Sequence, residues 1–355
     1  MTTYRIIVIP GDGIGPEIVD AAISVLRAVE QLDGSFSLDL EYHDAGAETY
    51  ATTGTNLSPE TLAACREANA VLKGPVGLPD VRLSDGTEAG LLGGVLRTGL
   101  DTYANVRPIK LLPGIQAATR FGPGEIDYVI VRENTEGLYA SRGRGVANDW
   151  AASDVMFMTR PGVERVCRFA FETARKRTGA PRDGVQRVTC VDKSNVLRSF
   201  GFFRSIFSEV AASYPDIEPD YLYADAAAQA LVMDPARFDV LVMENFLGDI
   251  LSDLGGGTIG GIGLCPSGNI GDVAAYFEPI HGSAPSLAGQ DRANPIGQIL
   301  TAAMLLDHIG QASASRRIQD AVGDAIASGA VRIGDDGCPV DGTRAAAEQI
   351  VNYLR

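Results

Sequence analysis

The sequence is short of cysteine, of long apolar runs and of positive charge, and each shortage removes a class of function. Cys65, Cys167, Cys190, Cys265 and Cys338 are an odd, dispersed set in 355 residues, with no C-x-x-C spacing. A disulfide frame or a thiolate-held zinc site is therefore not expected, and reduced thiols in a cytoplasm are. The longest apolar runs fall far short of a bilayer span, and no basic region followed by an apolar core opens the chain. A cytoplasmic protein with no membrane partner is the expectation. Lys and Arg number 30 against 45 Asp and Glu, a formal charge of −15, which argues against nucleic acid as a partner. An anionic ligand would need a basic pocket gathered locally. No internal repeat or low-complexity linker is visible, so any division into domains runs through structured crossings.

What is present is an ordinary globular balance, with 45% apolar and 21% charged residues, so a packed core is expected. At about 150 residues per domain, the length points to two domains. Tyr4 to Ile9 reads as a strand and runs into Pro10-Gly11-Asp12-Gly13-Ile14-Gly15-Pro16-Glu17. Pro16 suits the first turn of a helix continuing through Ile18, Ala22 and Val25. The glycines are spaced G-x-G-x-G, not G-x-G-x-x-G, so this is not a Rossmann turn. Ser58-Pro59 reads as an N-cap with proline at the first helical position. Alternating strands and helices over residues 38–75 predict an α/β fold with a mostly parallel sheet. Helices are predicted over Gly162–Thr178, Ser199–Ser213 and near Ile299–Ile309, with a tail from Gly342 to Leu354.

The most informative stretch is Glu244 to Gly261, E-N-F-L-G-D-I-L-S-D-L-G-G-G-T-I-G-G, which follows the apolar run Phe238–Met243. Gly248 is expected to open a short helix in which Asp249 and Asp253, at i and i+4, share one face. Like charges so placed repel, and a hard divalent cation such as Mg²⁺ or Mn²⁺ would reward them. A solvated acidic helix face is the alternative, and the pair alone leaves both open. The run Gly255-Gly256-Gly257 is expected to stop the helix and let backbone come close to whatever lies opposite. Asp225, in Y-A-D-A-A-A-Q-A-L, offers a third carboxylate after another apolar stretch.

A basic pocket is supplied by G-G-V-L-R-T-G-L-D-T-Y-A-N-V-R-P-I-K and V-I-V-R-E-N-T-E-G-L-Y, which carry Arg97, Arg107 and Arg132. Guanidinium groups grip carboxylates bidentately, and three of them suit a dicarboxylate or tricarboxylate. Arg132 ends the apolar strand Tyr128–Val131, where a surface arginine would be out of place. Tyr139 closes the second motif, and Lys193 lies in V-T-C-V-D-K-S-N-V-L-R with Asn195 beside it. A tyrosine and a lysine near cations can exchange protons with a substrate, because cationic neighbours lower both pKa values. Residues 141–159 mix strand and loop character and read equally as a surface loop.

Together these motifs resemble the β-decarboxylating dehydrogenases of the isocitrate/isopropylmalate dehydrogenase family, in family order over essentially the whole chain. The resemblance implies two α/β domains, a first of residues 1–102 plus 260–355 and a second of 103–259, with residues 141–159 as an arm of a homodimer or higher homo-oligomer. It implies an enzyme that oxidises and decarboxylates a 3-substituted (R)-malate, a hydroxy-dicarboxylate or tricarboxylate, with Mg²⁺ or Mn²⁺ and a nicotinamide cofactor. Asp225, Asp249 and Asp253 would hold the metal, with Lys193 and Asp225 reaching over from a partner subunit. Arg97, Arg107, Arg132 and Asn195 would bind substrate, Lys193 would take the hydroxyl proton, and Tyr139 would protonate the enolate left by CO₂. Ile14 and the block F-E-P-I-H-G-S-A-P-S-L-A-G-Q-D-R-A-N-P would meet the cofactor, through His281, Gly282, Ser283, Ala284, Ser286 and Asn294. Ser286 departs from the pattern: NAD-using members commonly have Asp there, and NADP-using members resembling isocitrate dehydrogenase have Lys. NAD is expected and NADP stays open. Gly93 and Gly94 stand where isopropylmalate enzymes carry leucines, so 3-isopropylmalate is not expected to be the best substrate. The rival readings are 3-isopropylmalate dehydrogenase itself, a non-catalytic regulatory subunit of the same fold, and a metal-dependent hydrolase on another α/β fold.

Overall fold

A computed structural model of the chain describes residues 2–83, 86–90 and 92–355. The chain divides into two compact units: Met1–Thr102 with Leu112–Ala117 and Gly260–Arg355, and Tyr103–Leu111 with Ala118–Ile259.

Unit 1 begins with β1 (Thr2–Ile9), α1 (Gly15–Asp33), β2 (Phe36–Tyr42), α2 (Ala47–Thr53), α3 (Pro59–Glu67), β3 (Ala70–Lys73) and α4 (Gly93–Gly99). Ile6 to Ile9 are wholly buried, as a parallel strand covered on both faces requires. α1 carries Pro16 in its first turn and ends at Gly34, whose left-handed φ of 67° lets its N–H close on Glu30 O. Ser58 Oγ caps α3, accepting from Thr61 N at 3.1 Å, as predicted.

Unit 2 follows with β4 (Ala104–Lys110), β5 (Asp127–Glu133), β6 (Val146–Ala147), β7 (Ala152–Ser153), α5 (Arg160–Arg175), β8 (Arg187–Asp192), α6 (Arg198–Ala211), β9 (Glu218–Tyr223), α7 (Ala224–Met233), β10 (Val240–Met243) and α8 (Asn245–Thr258). The chain then completes unit 1 with β11 (Pro266–Ile270), β12 (Ala275–Pro279), α9 (Ile296–His308), α10 (Ala312–Ala327) and α11 (Thr343–Asn352).

Among the described residues, unit 1 orders its strands β2-β1-β3-β12-β11, parallel except for β11 against β12. Unit 2 orders its strands β4-β5-β10-β8-β9, parallel except for β4 against β5. The mostly parallel α/β fold expected from the alternating pattern is found. β6 and β7 form a separate exposed hairpin within residues 141–159.

Strand alternation in β5 sets up the site. Val129 and Val131 join the core built with α5 and α6, where Phe171 stacks on Phe207 and Tyr214. Tyr128 and Arg132, on the other face, meet α8. Two expectations about α8 are corrected here. It begins at Asn245 rather than Gly248, because Glu244 caps it by accepting from Leu247 N at 3.2 Å. It also runs through Gly255-Gly256-Gly257 to Thr258 instead of stopping there. Gly255 and Gly248 are spacers: a Cβ on Gly255 would lie 2.7 Å from Tyr128 Oη, and one on Gly248 would lie 2.5 Å from Arg132 Cγ, whereas Gly257 faces open space. Bare backbone lets α8 seat directly on β4 and β5.

Candidate active site

Unit 2 gathers two arginines and two aspartates on one face of α8. Arg132 is buried to 1% exposure at the end of β5, and its guanidinium contacts Asp249 Oδ1. Arg107, on β4 and 7% exposed, lies 3.4 Å from Asp249 Oδ1 through Nη2 and 3.4 Å from Asp253 Oδ1 through Nη1. Burial pushes the Asp253 carboxyl above its usual range, Asp249 adds to this, and Arg107 and Arg132 oppose it.

Tyr139 donates to Asp249 Oδ2 at 2.8 Å and lies edge-on to Phe246. Its phenol is raised from the ordinary value, first by burial and then by the Asp249 carboxylate, although Arg132 and Arg142 pull the other way. The expectation that cationic neighbours lower it is thus corrected: desolvation and the acceptor carboxylate outweigh the arginines, and the proton is held more tightly.

Lys193 and Asp225 pair with each other, Nζ to Oδ1 at 2.6 Å. Asp225 sits in the first turn of α7 and its carboxyl is lowered, chiefly by the Lys193 hydrogen bond. Asn195 is exposed beside them. Among the described residues no three His, Cys, Asp or Glu side chains form a group able to hold a metal. Within one chain, then, Asp225 does not join Asp249 and Asp253.

Unit 1 brings the other expected residues together. Ile14 N donates to Ser283 O at 2.8 Å, joining the loop after β1 to the loop after β12. Asp12, 1% exposed, fixes that loop by accepting from Ala47 N, Glu48 N and Gly77 N. Ser283 Oγ donates to Gly77 O, and Ala284 takes a left-handed φ of 36°. Ile14, Ile18 and Ala293 form a small apolar cluster packed by Ala284 and Leu287. Asn294 donates to Gly337 O at 3.0 Å and accepts from Ile296 N at 3.0 Å. Gly282 and Ser286 are exposed. His281 Nδ1 lies 3.0 Å from Gly282 O, which can only accept, so Nδ1 carries the proton and Nε2 is a lone-pair acceptor. Nε2 is buried without a hydrogen-bond partner, and burial lowers the imidazole pKa, keeping the ring neutral. Arg97 is half-buried on α4, in the same unit.

The family model described as isocitrate/isopropylmalate dehydrogenase matches residues 5–339. The chain belongs to this family. The 3-isopropylmalate dehydrogenase of Clavibacter sepedonicus is 44% identical over 342 residues, 92% of each chain. That of Archaeoglobus fulgidus is 44% identical over 328 residues, again 92% of each. Among solved structures, isocitrate dehydrogenase from Methylococcus capsulatus superposes with a TM-score of 0.86 at 41% identity over 99% of both chains. A β-decarboxylating dehydrogenase from Thermococcus kodakarensis, in its apo form, gives 0.80 at 38% identity over 99% of this chain and 96% of that one.

As a member of the isocitrate/isopropylmalate dehydrogenase family, the chain is a decarboxylating dehydrogenase with a small-molecule substrate. The hydrolase reading falls away. No helix among the described residues is long and apolar enough to cross a membrane. Several residues that hold this dehydrogenase's charged side chains in place carry no role in the sequence reading. Asn245 Oδ1 accepts from Arg132 Nη2 at 2.7 Å and from Nε at 3.1 Å. Asn105 Oδ1 accepts from Arg107 Nε at 2.6 Å, and Ser252 Oγ accepts from its Nη1 at 2.5 Å. Glu244, 1% exposed, takes Leu138 N on Oε1 and Leu247 N on Oε2, tying the turn before Tyr139 to the start of α8. Asn245 and Ser252 lie inside the E-N-F-L-G-D-I-L-S-D stretch, Asn245 four residues before Asp249 and Ser252 three residues after it, next to Asp253. Their positions were therefore a usable signal.

Proposed function

We propose that the chain catalyses metal-dependent oxidative decarboxylation of a 3-substituted (R)-malate with NAD as hydride acceptor. The carrying observation is the balanced set Arg107, Arg132, Asp249 and Asp253 on and against α8. Its formal charges cancel, and a divalent cation entering with a dicarboxylate keeps it neutral. The two arginines are buried, and burying their charge is tolerable only when it is paired in this way. Carboxylate oxygens are the hard donors that Mg²⁺ and Mn²⁺ take, and a pair from one chain leaves positions for water and substrate. We assign Asp249 and Asp253 as ligands, with Asp225 of the partner subunit as the third.

The pairing of Asp225 with Lys193 away from Asp249 and Asp253 supports a homodimer in which both are delivered across the interface. So does the apolar exposure of unit 2, where Trp150 is 94%, Met233 50% and Ile250 52% exposed. The neutral, hydrogen-bond-accepting His281 Nε2 supports a nicotinamide cofactor along Ile14, His281, Gly282, Ser283, Ala284, Ser286 and Asn294. Five free, buried cysteines fit a reducing compartment, a cytoplasm.

When bound, the metal supplies Lewis-acid polarisation of the substrate oxygen and the nicotinamide accepts the hydride. Arg97, Arg107 and Arg132 grip the substrate carboxylates, and Asn195 lines the same site beside Lys193. Lys193 of the partner subunit takes the hydroxyl proton during oxidation. Tyr139 then protonates the carbon that loses CO₂, a task suited to a phenol that keeps its proton at neutral pH.

For the 3-substituent, a Cβ built on Gly93 would find Arg97 Cζ and Nε at 3.7 Å, a cationic group rather than an apolar one, as its nearest contacts beyond its chain neighbours among the described residues. Without an apolar wall an isopropyl branch gains little of the roughly 1–3 kcal/mol that apolar packing gives. We therefore propose a malate with another 3-substituent. The names of the curated relatives favour a second reading, 3-isopropylmalate itself. Measuring kcat/KM with Mn²⁺ for D-malate, tartrate, isocitrate, homoisocitrate and 3-isopropylmalate decides between them. A first rank for 3-isopropylmalate refutes the preferred reading, and no NADH or NADPH formation with any of them refutes both.

A further inference from the structure

The C-terminal part of unit 1 adds a wall to the proposed cofactor site. Residues 332–342 form a hairpin in which Ile333 bridges Pro339, Gly334 N donates to Cys338 O at 2.8 Å, and Val340 N donates to Arg332 O at 2.9 Å. It is clamped to the segment after Ser286 by Asn294 Nδ2 on Gly337 O at 3.0 Å and by Thr343 N on Asp291 O at 3.2 Å. A third clamp is ionic: Arg292 Nη2 donates to Asp336 Oδ2 at 2.8 Å. The other oxygen, Asp336 Oδ1, accepts from Cys338 N at 3.0 Å, so the carboxylate is held from two sides. A cleft of about 470 Å³ opens here, lined by Gln290, Arg292, Gly334, Asp336 and Val340 among others.

We infer that Asp336 is a selectivity residue for the nicotinamide cofactor: it engages the Arg292 guanidinium and so withholds it from a ribose 2′-phosphate, selecting NAD. The inference rests on the cofactor-site reading above. A guanidinium fork is the natural partner of a phosphate monoester. That phosphate carries about −1.5 to −2 charges at pH 7, so it would have to displace Asp336 and then sit beside an uncompensated carboxylate. Within residues 286–295 Arg292 is the only Lys or Arg, position 286 being serine, and Arg344, whose Nε lies 3.9 Å from Asp291 Oδ1, is 83% exposed. Arg292 and Asp336 are each about half exposed, at 50% and 53%, so solvent screens the effect and selectivity is moderate.

The test is titration of NADH and NADPH into the purified full-length protein, its D336N variant and the D336N/R292Q double variant, followed by cofactor fluorescence. Asparagine keeps an acceptor for Cys338 N–H, so the hairpin is retained. The wild type should bind NADH more tightly. D336N should shift the ratio of the two dissociation constants towards NADPH by about fivefold or more at low salt, with the gain shrinking as salt rises. Adding R292Q should abolish the gain. An unchanged ratio in D336N, or a wild type that already prefers NADPH, overturns the inference while NADH binding leaves the cofactor-site reading standing. Failure of wild type to bind either nucleotide overturns both.

Discussion

Gly248 gives the sharpest test of how α8 builds the site, because the residue contributes only absence. Added as alanine, its Cβ would meet Arg132 Cγ at 2.5 Å and Arg132 Cβ at 2.6 Å, and both atoms belong to the least mobile part of that side chain. Arg132 cannot swing away cheaply, since Asn245 holds Nε and Nη2 while Asp249 holds Nη1. The helix must therefore lift or the guanidinium must move, and either separates Arg132 from Asp249. Overpacking of this kind costs about 1–3 kcal/mol. Glycine to alanine inside a helix returns about 1 kcal/mol of propensity, which leaves a net loss of roughly 0–2 kcal/mol. The effect on chemistry should be larger, because a displacement of about 1 Å in a positioning group can reduce rate by about 100-fold. Gly323, in α10 with no atom within 4 Å of a built Cβ, is the control: Gly323→Ala should stabilise slightly and leave turnover unchanged. Denaturant unfolding and kcat/KM measured on both variants provide the comparison. A Gly248→Ala enzyme with wild-type kcat/KM would refute the claim that this glycine seats Arg132.

The other predictions follow from the same geometry. Asp253→Asn, with its side chain about half exposed, should abolish Mg²⁺- or Mn²⁺-dependent turnover with little loss of stability, and undiminished metal-dependent activity would remove it from the ligand set. Asp249→Asn should also abolish turnover but destabilise more, by about 1–3 kcal/mol, because it removes the carboxylate that the buried Arg132 contacts while Asn245 Oδ1 remains as a neutral acceptor; chemical denaturation reads the difference. Tyr139→Phe should slow the proton-transfer step more than hydride transfer, seen as a small NADH burst followed by slower turnover, and wild-type behaviour would move the acid role elsewhere. Burial pushes the Cys65 thiol up to about 11 and raises Cys167 and Cys190 as well. These three thiols should therefore stay silent to a thiol reagent at pH 8 in the native protein and react on unfolding.

The sequence by itself determined the fold class and the family, and it pointed to most of the charged residues of the candidate site. Those features are local: an apolar strand, a capped helix start such as Ser58-Pro59, aspartates at i and i+4, and an arginine closing a buried strand. Each writes its physics into neighbouring positions, where periodicity and residue type expose it. The tertiary structure alone decided matters that depend on residues far apart in the chain. α8 carries a glycine at 255 where Tyr128 and Ile109 lie against it, a contact no local pattern encodes. Tyr139 holds its proton more tightly than its basic neighbours imply, since burial and Asp249, 110 residues on, dominate its surroundings. Glu244, Asn245 and Ser252 acquire their roles only when β4, β5 and α8 meet, and the Arg292–Asp336 pair joins positions 44 residues apart. Sequence reports what a residue can do, and packing decides which partner it does it with, because hydrogen bonds and desolvation act over a few ångströms of space regardless of distance along the chain.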